Sequence, residues 1–72
     1  MNAKEWIAQF AARLGVDAPT DAENDDLLAM AAVAAHASER TAAPVACWLA
    51  ARAGLGPAAA LAMAREVAPA AE

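Results

Sequence analysis

A chain of 72 residues with a formal charge of −4 and a single cysteine, Cys47, is one small domain, 1–72, with neither a disulfide framework nor a Cys-rich zinc site. Five of its nine acids fall between Asp17 and Asp26 and its five bases are scattered, the wrong sign and pattern for a nucleic-acid binder that tracks phosphates. No apolar run reaches the roughly 18 residues that span a bilayer, and "MNAKEW" lacks the basic and apolar stretches of a secretory signal, so a cytoplasmic protein with no membrane partner is expected.

Alanine accounts for 26 of the 72 residues and leaves only 18 larger apolar side chains. Those can fill one small core, and a domain of this size buries only about 60% of its unfolded surface. So much alanine favours helix. The absence of Tyr, the single Phe and the few β-branched residues argue against strands.

Asn2 followed by Glu5 has the spacing of a capping box. Trp6, Ile7, Phe10 and Leu14 then recur on one helical face, and Gly15 suits the left-handed residue that ends a helix. The first helix is predicted over 3–14. In the linker "VDAPTDAENDD", Pro19 disfavours helix at Ala18. Thr20, with Glu23 three residues on, or Asn24, with the stronger intrinsic preference, caps a second helix over 22–38. The acidic cluster there meets the positive end of the helix dipole. Asp21, Glu23, Asp25 and Asp26 resemble a hard-cation loop only loosely, because the glycine and distal glutamate of a calcium loop are absent.

The second helix is expected to bury Leu27, Leu28, Ala31 and Ala34 or Ala35, with Met30 in reach. Thr41 is read as the cap of a third helix over 42–53, with Pro44 in the first turn, where a missing N–H costs little. Val45, Trp48 and Leu49 form its predicted inward stripe, and Arg52 lays its stem along the edge. Gly54 ends it. Pro57 opens a fourth helix over 57–68, whose inner face is Leu61, Ala64 and Val67 or Ala68, with Pro69 as its stop and a frayed tail from Ala70 to Glu72. The predicted fold is all-α, a compact bundle of four short helices, with Trp6 and Trp48 in its core. An exposed Trp would instead mark a contact surface.

One stretch carries the candidate chemistry, "AHASERTAAPVACWL". His36 and Arg40 lie one turn apart where cations meet the negative end of the second helix. Thr41 and the free N–H groups at the start of the third helix offer an anion site beside Arg40. Candidate binding residues are therefore His36, Arg40, Thr41 and Pro44. Cys47 reads as a buried inert thiol, since a nucleophile needs a base and a lowered pKa. His36 has no other soft ligands for a metal. No Gly-rich phosphate loop is present. No catalytic residue, metal or cofactor is assigned.

"AHASERTAAPVACWLAARAG", preceded by "DLLAMAAVAA" and by a Trp-bearing first helix ending in "LG", resembles a small actinobacterial helical domain of unknown function. That domain occurs alone or fused after molybdopterin-guanine dinucleotide biosynthesis protein A, the molybdenum cofactor guanylyltransferase. The resemblance spans Trp6 to Ala68 and rests most on Ala35, His36, Arg40, Ala43 and Pro44. The family has Pro where this chain has Thr41, and a hydroxyl-bearing, Phe-containing segment where "ACWL" stands. It implies no catalytic residues for the domain, and the part that would bind GTP and magnesium is missing from these 72 residues.

The expected function is a non-catalytic accessory or protein-interaction module, serving molybdenum cofactor biosynthesis, with a protein of that pathway as partner. Two other readings stand beside it. One is a small anion- or phosphate-binding domain that uses the corner between the second and third helices. The other is a self-associating helical module, a homo-oligomer in which Ala-rich surfaces pack closely.

Overall fold

A computed structural model describes residues 1–67. Four helices follow one another, α1 (Ala3–Leu14), α2 (Asp21–Ala37), α3 (Ala42–Arg52) and α4 (Pro57–Val67). No strand is formed among the described residues. The fold is the expected all-α bundle, with boundaries within one residue of those predicted: α2 begins at Asp21 and ends at Ala37, and α3 ends at Arg52. Ala68, Pro69 and the tail from Ala70 to Glu72 lie outside the described residues.

Helix ends follow the sequence signals closely. The Asn2 side chain accepts from the Glu5 N–H at 2.8 Å, and the Glu5 carboxylate accepts from the Asn2 N–H at 2.9 Å. Between the two candidate caps of α2, Thr20 is the one used: its hydroxyl accepts from the Glu23 N–H at 3.1 Å, and Glu23 returns the bond at 2.8 Å. Each box satisfies two donors that the helix geometry leaves without partners. Gly15 and Gly54 have φ of 78° and 79°. In both, the N–H of the following residue reaches five residues back, Val16 to Ala11 at 3.0 Å and Leu55 to Ala50 at 3.1 Å. This is the Schellman closure that glycine permits.

The core is built around α2, which packs against α4 on one side and α3 on the other. Met30 is 2% exposed at its centre, joined by Ala60 and Leu61 of α4. Leu27 and Val33 of α2, Cys47 and Ala50 of α3, and Leu55 of the α3–α4 turn surround them. A helix held between two neighbours needs a broad apolar surface rather than one stripe, and alanine supplies much of it here.

Several expected core positions face outward instead. Trp48 is 58% exposed and Trp6 is 54% exposed, so neither is a core residue. On α3, Val45 and Leu49 are also more than half exposed. Met30 and Leu61 fill the centre, and the α3 side chains packed on it are Cys47 and Ala50. The stripe on α3 therefore has the opposite phase to the one its large residues suggested. Leu28 of α2 and Val67 of α4 are exposed as well.

Helix α1 makes no extensive contact along another helix. Ala11 is its one buried residue, Ile7 is half-buried, and Phe10 and Leu14 are exposed. An ion pair at 3.4 Å joins Lys4 at the start of α1 to Asp21 at the start of α2, with both side chains in water. Such a pair contributes little to stability.

Candidate functional site

The α2–α3 corner is made by the tight segment 38–41. Ser38 ends α2, its hydroxyl donating to the Ala34 carbonyl at 2.9 Å. His36, Arg40, Thr41 and Pro44 are all exposed. Thr41 occupies the N-cap position of α3 but makes no side-chain cap bond. Its backbone is already helical, with φ −67° and ψ −16°, whereas a capping side chain works from an extended backbone. The preceding turn takes over instead: the Ala42 N–H donates to the Glu39 carbonyl at 2.9 Å, and the Ala43 N–H to the Arg40 carbonyl at 3.2 Å. Pro44 has no N–H to offer. The donors that an anion would use at this helix start are thus already engaged.

Beyond Thr41, one face of α3 continues outward through Pro44, Val45, Trp48 and Arg52, all exposed. The Arg52 guanidinium lies over the Trp48 ring, 5.1 Å from its centroid, a cation–π contact across one helical turn. Arg52, expected to lay its stem along the edge of an inward stripe, instead covers Trp48 on a face that meets water. His36 and Arg40 supply cationic or polar groups at the corner, and Pro44, Val45 and Trp48 supply apolar area. Trp and Arg are the residue types that most often dominate protein interfaces.

A second feature lies elsewhere. An open groove of about 580 Å³ runs between the C-terminal halves of α2 and α3 and along α4. Met30 and Ala60 form its floor, and Leu49, Met63 and Val67 stand at its rim. Ala37 and Ser38 line its end, but His36, Arg40, Thr41, Pro44 and Trp48 do not line it. Ser38 is the one lining residue with a polar side chain, and its hydroxyl is bonded to Ala34. The walls are therefore apolar and carry no charge. Sequence reasoning missed this groove because it assigned Leu49 to the core. The available signal was apolar residues on all sides of α3, more than one small core encloses.

No polar or charged side chain is buried among the described residues. Among the same residues, no group of three or more His, Cys, Asp and Glu is placed to hold a metal ion. Cys47 is half-buried against the core rather than fully enclosed. No helix among those described is long and apolar enough to cross a membrane.

The family described as "Domain of unknown function (DUF6457)" matches residues 1–72, the whole chain. The chain belongs to the DUF6457 family. No curated protein and no solved structure matches it. The exposed apolar surfaces of this DUF6457 domain, among the described residues, include the corner with the outer face of α3, the groove, and the Trp6, Phe10 and Leu14 face of α1.

Proposed function

We propose that this DUF6457 domain is a non-catalytic protein-interaction module whose partner-binding surface is the α2–α3 corner continued by the outer face of α3. The observation that carries this reading is Trp48, a large apolar side chain 58% exposed beside Pro44 and Val45, with Arg52 stacked on it. A polar rim of His36, Arg40 and Thr41 beside such an apolar patch matches the anatomy of a protein interface. The partner is proposed to be a protein of molybdenum cofactor biosynthesis, the guanylyltransferase first. The support for that choice is the resemblance carried by Ala35, His36, Arg40, Ala43 and Pro44.

The test is direct binding of the purified chain to molybdenum cofactor guanylyltransferase, followed by calorimetry. A complex is expected, weakened about tenfold or more by Trp48→Ala and by Arg40→Ala. The helical circular dichroism of both variants stays unchanged, since both side chains are exposed. No complex with the unmodified chain overturns the molybdenum-cofactor assignment. A complex indifferent to both substitutions overturns this surface.

A further inference from the structure

Two arginines flank the outer face of α3, Arg40 at the corner and Arg52 in the last turn. Among the described residues, neither makes a side-chain hydrogen bond or an ion pair. Arg52 is nonetheless held in place, because its guanidinium lies over the Trp48 ring, 5.1 Å from the centroid. Stacking uses the flat face of the guanidinium. Its N–H donors point outward in the plane of the group, in the fork that matches a carboxylate. An acceptor that arrives there meets donors already oriented, with less side-chain freedom left to lose.

We propose, resting on the protein-interaction reading above, that the partner presents an aspartate or glutamate to the Arg52 fork and seats an adjoining apolar side chain on Trp48 and Val45.

Local charge supports an acidic partner segment. Residues 36–52 hold two arginines and His36 against one acid, Glu39, whereas the rest of the chain holds three bases and eight acids. The acidic cluster ends at Asp26, about 15 Å along the axis of α2 from His36. Salt screens exposed charges over about 8 Å, so that cluster leaves the sign of the corner to the corner's own groups. On α4, Glu66 stands beside Arg65. A positive patch on an acidic domain selects a negative one on its partner.

The apolar area beside the fork separates a protein carboxylate from a free anion. Val45 and Trp48 are 56% and 58% exposed, and phosphate bound at Arg52 would leave both in water. An acidic residue next to a leucine covers them and pairs the fork in one contact, an apolar centre with a charged rim.

The test titrates the isotope-labelled full chain with three probes, read by nuclear magnetic resonance. They are acetyl-Glu-Glu-Leu-Glu-Glu-amide, its counterpart with lysine in place of every glutamate, and inorganic phosphate. The glutamate peptide is expected to move the Trp48 indole N–H and the Arg52 side-chain N–H signals. Its affinity is expected to fall severalfold between about 0.05 and 0.3 M salt. Arg52→Gln weakens it about fivefold or more. Arg52→Lys rescues little, since an ammonium keeps the charge and loses the fork. Arg52 is exposed, and circular dichroism checks that both variants keep their helices.

Equal shifts with the lysine peptide overturn the carboxylate, as does an Arg52→Gln chain that binds the glutamate peptide like the unmodified one. Full rescue by Arg52→Lys overturns the fork. Phosphate that moves the same signals as strongly as the peptide means a small-anion site and overturns the proposal too. No shift at Trp48 or Arg52 with any probe overturns it outright. The fate of the interaction reading is distinct. A guanylyltransferase complex weakened by Trp48→Ala and untouched by Arg52→Gln keeps the surface and removes the carboxylate. Failure of that complex, with the expected peptide shifts, removes that partner and keeps the carboxylate.

Discussion

Helices α1 and α2 begin in the same way and end in different circumstances. Each opens with a capping box and each carries large apolar side chains. Helix α2 lies between α3 and α4 with Met30 enclosed, whereas α1 keeps Trp6, Phe10 and Leu14 half in water. Local signals therefore suffice to place a helix, but a helix is stabilised in proportion to what covers its apolar face. The helix contacts describe a three-helix unit of α2, α3 and α4 with α1 beside it, its ends closed by its own caps.

Substitutions that separate the two regions test this view, at protein concentrations too low for association. The largest effect is expected from Met30→Ala, which empties the centre of the core and costs about 2–5 kcal/mol. A 72-residue domain has a total stability of roughly 4–11 kcal/mol, so urea unfolding is expected to shift steeply or to leave no folded baseline. A near-normal midpoint would mean that Met30 is not the keystone of α2.

Next comes a matched pair, Gly54→Ala and Gly15→Ala. Both glycines have left-handed φ and no heavy atom within 4 Å of an added Cβ, so the cost of each is conformational, about 1–2 kcal/mol. Gly54 joins α3 to α4, and its substitution is expected to lower the global midpoint. Gly15 ends α1, and its substitution is expected to speed amide exchange in α1 while the midpoint moves less. Equal midpoint shifts would show that α1 unfolds together with the rest.

The caps give a smaller version of the same contrast. Thr20→Ala is expected to cost about 1 kcal/mol in global unfolding. Asn2→Ala removes a cap of equal quality but registers as faster hydrogen exchange at Trp6 and Ile7, with a smaller midpoint shift. Smallest of all, Lys4→Gln breaks an exposed ion pair, and the urea midpoint is expected to stay within the error of the measurement. A clear loss there would mean that α1 is fastened to α2 more firmly than its contacts indicate.

Most of what the sequence made legible is decided within a few residues. The box at Asn2, the glycine stops at Gly15 and Gly54, and Pro57 at the start of α4 are local chemistry, whereas Thr20 was one of two candidate caps with Asn24, and Thr41, read as a cap, makes no cap bond. The facing of α3 was not legible. Val45, Trp48 and Leu49 stand at helical spacing and read as a core stripe, yet Cys47 and Ala50 pack inward. In an alanine-rich chain, either a large or a small face is able to meet a neighbour, and the choice is made by what already fills the centre. The corner divides in the same way. His36, Arg40, Thr41 and Pro44 were legible as an exposed turn, but the helical backbone at Thr41 and the engaged N–H groups of Ala42 and Ala43 were not.

The short joint between α3 and α4 has a consequence for how quickly the chain folds. Only residues 53–56 separate the two helices, and the Leu55 N–H closes onto Ala50 while its side chain packs on the core. Closing so short a loop costs little entropy. The more demanding event is the docking of α4 on α2, since α3 and both its connections must be spanned first. The helices are joined by short segments, and refolding of so helical a chain is expected within microseconds to milliseconds, with the long-range docking of α4 on α2 as its slowest step. Its rate is expected to respond to substitutions at Leu61 and Met30 and to be indifferent to those in α1.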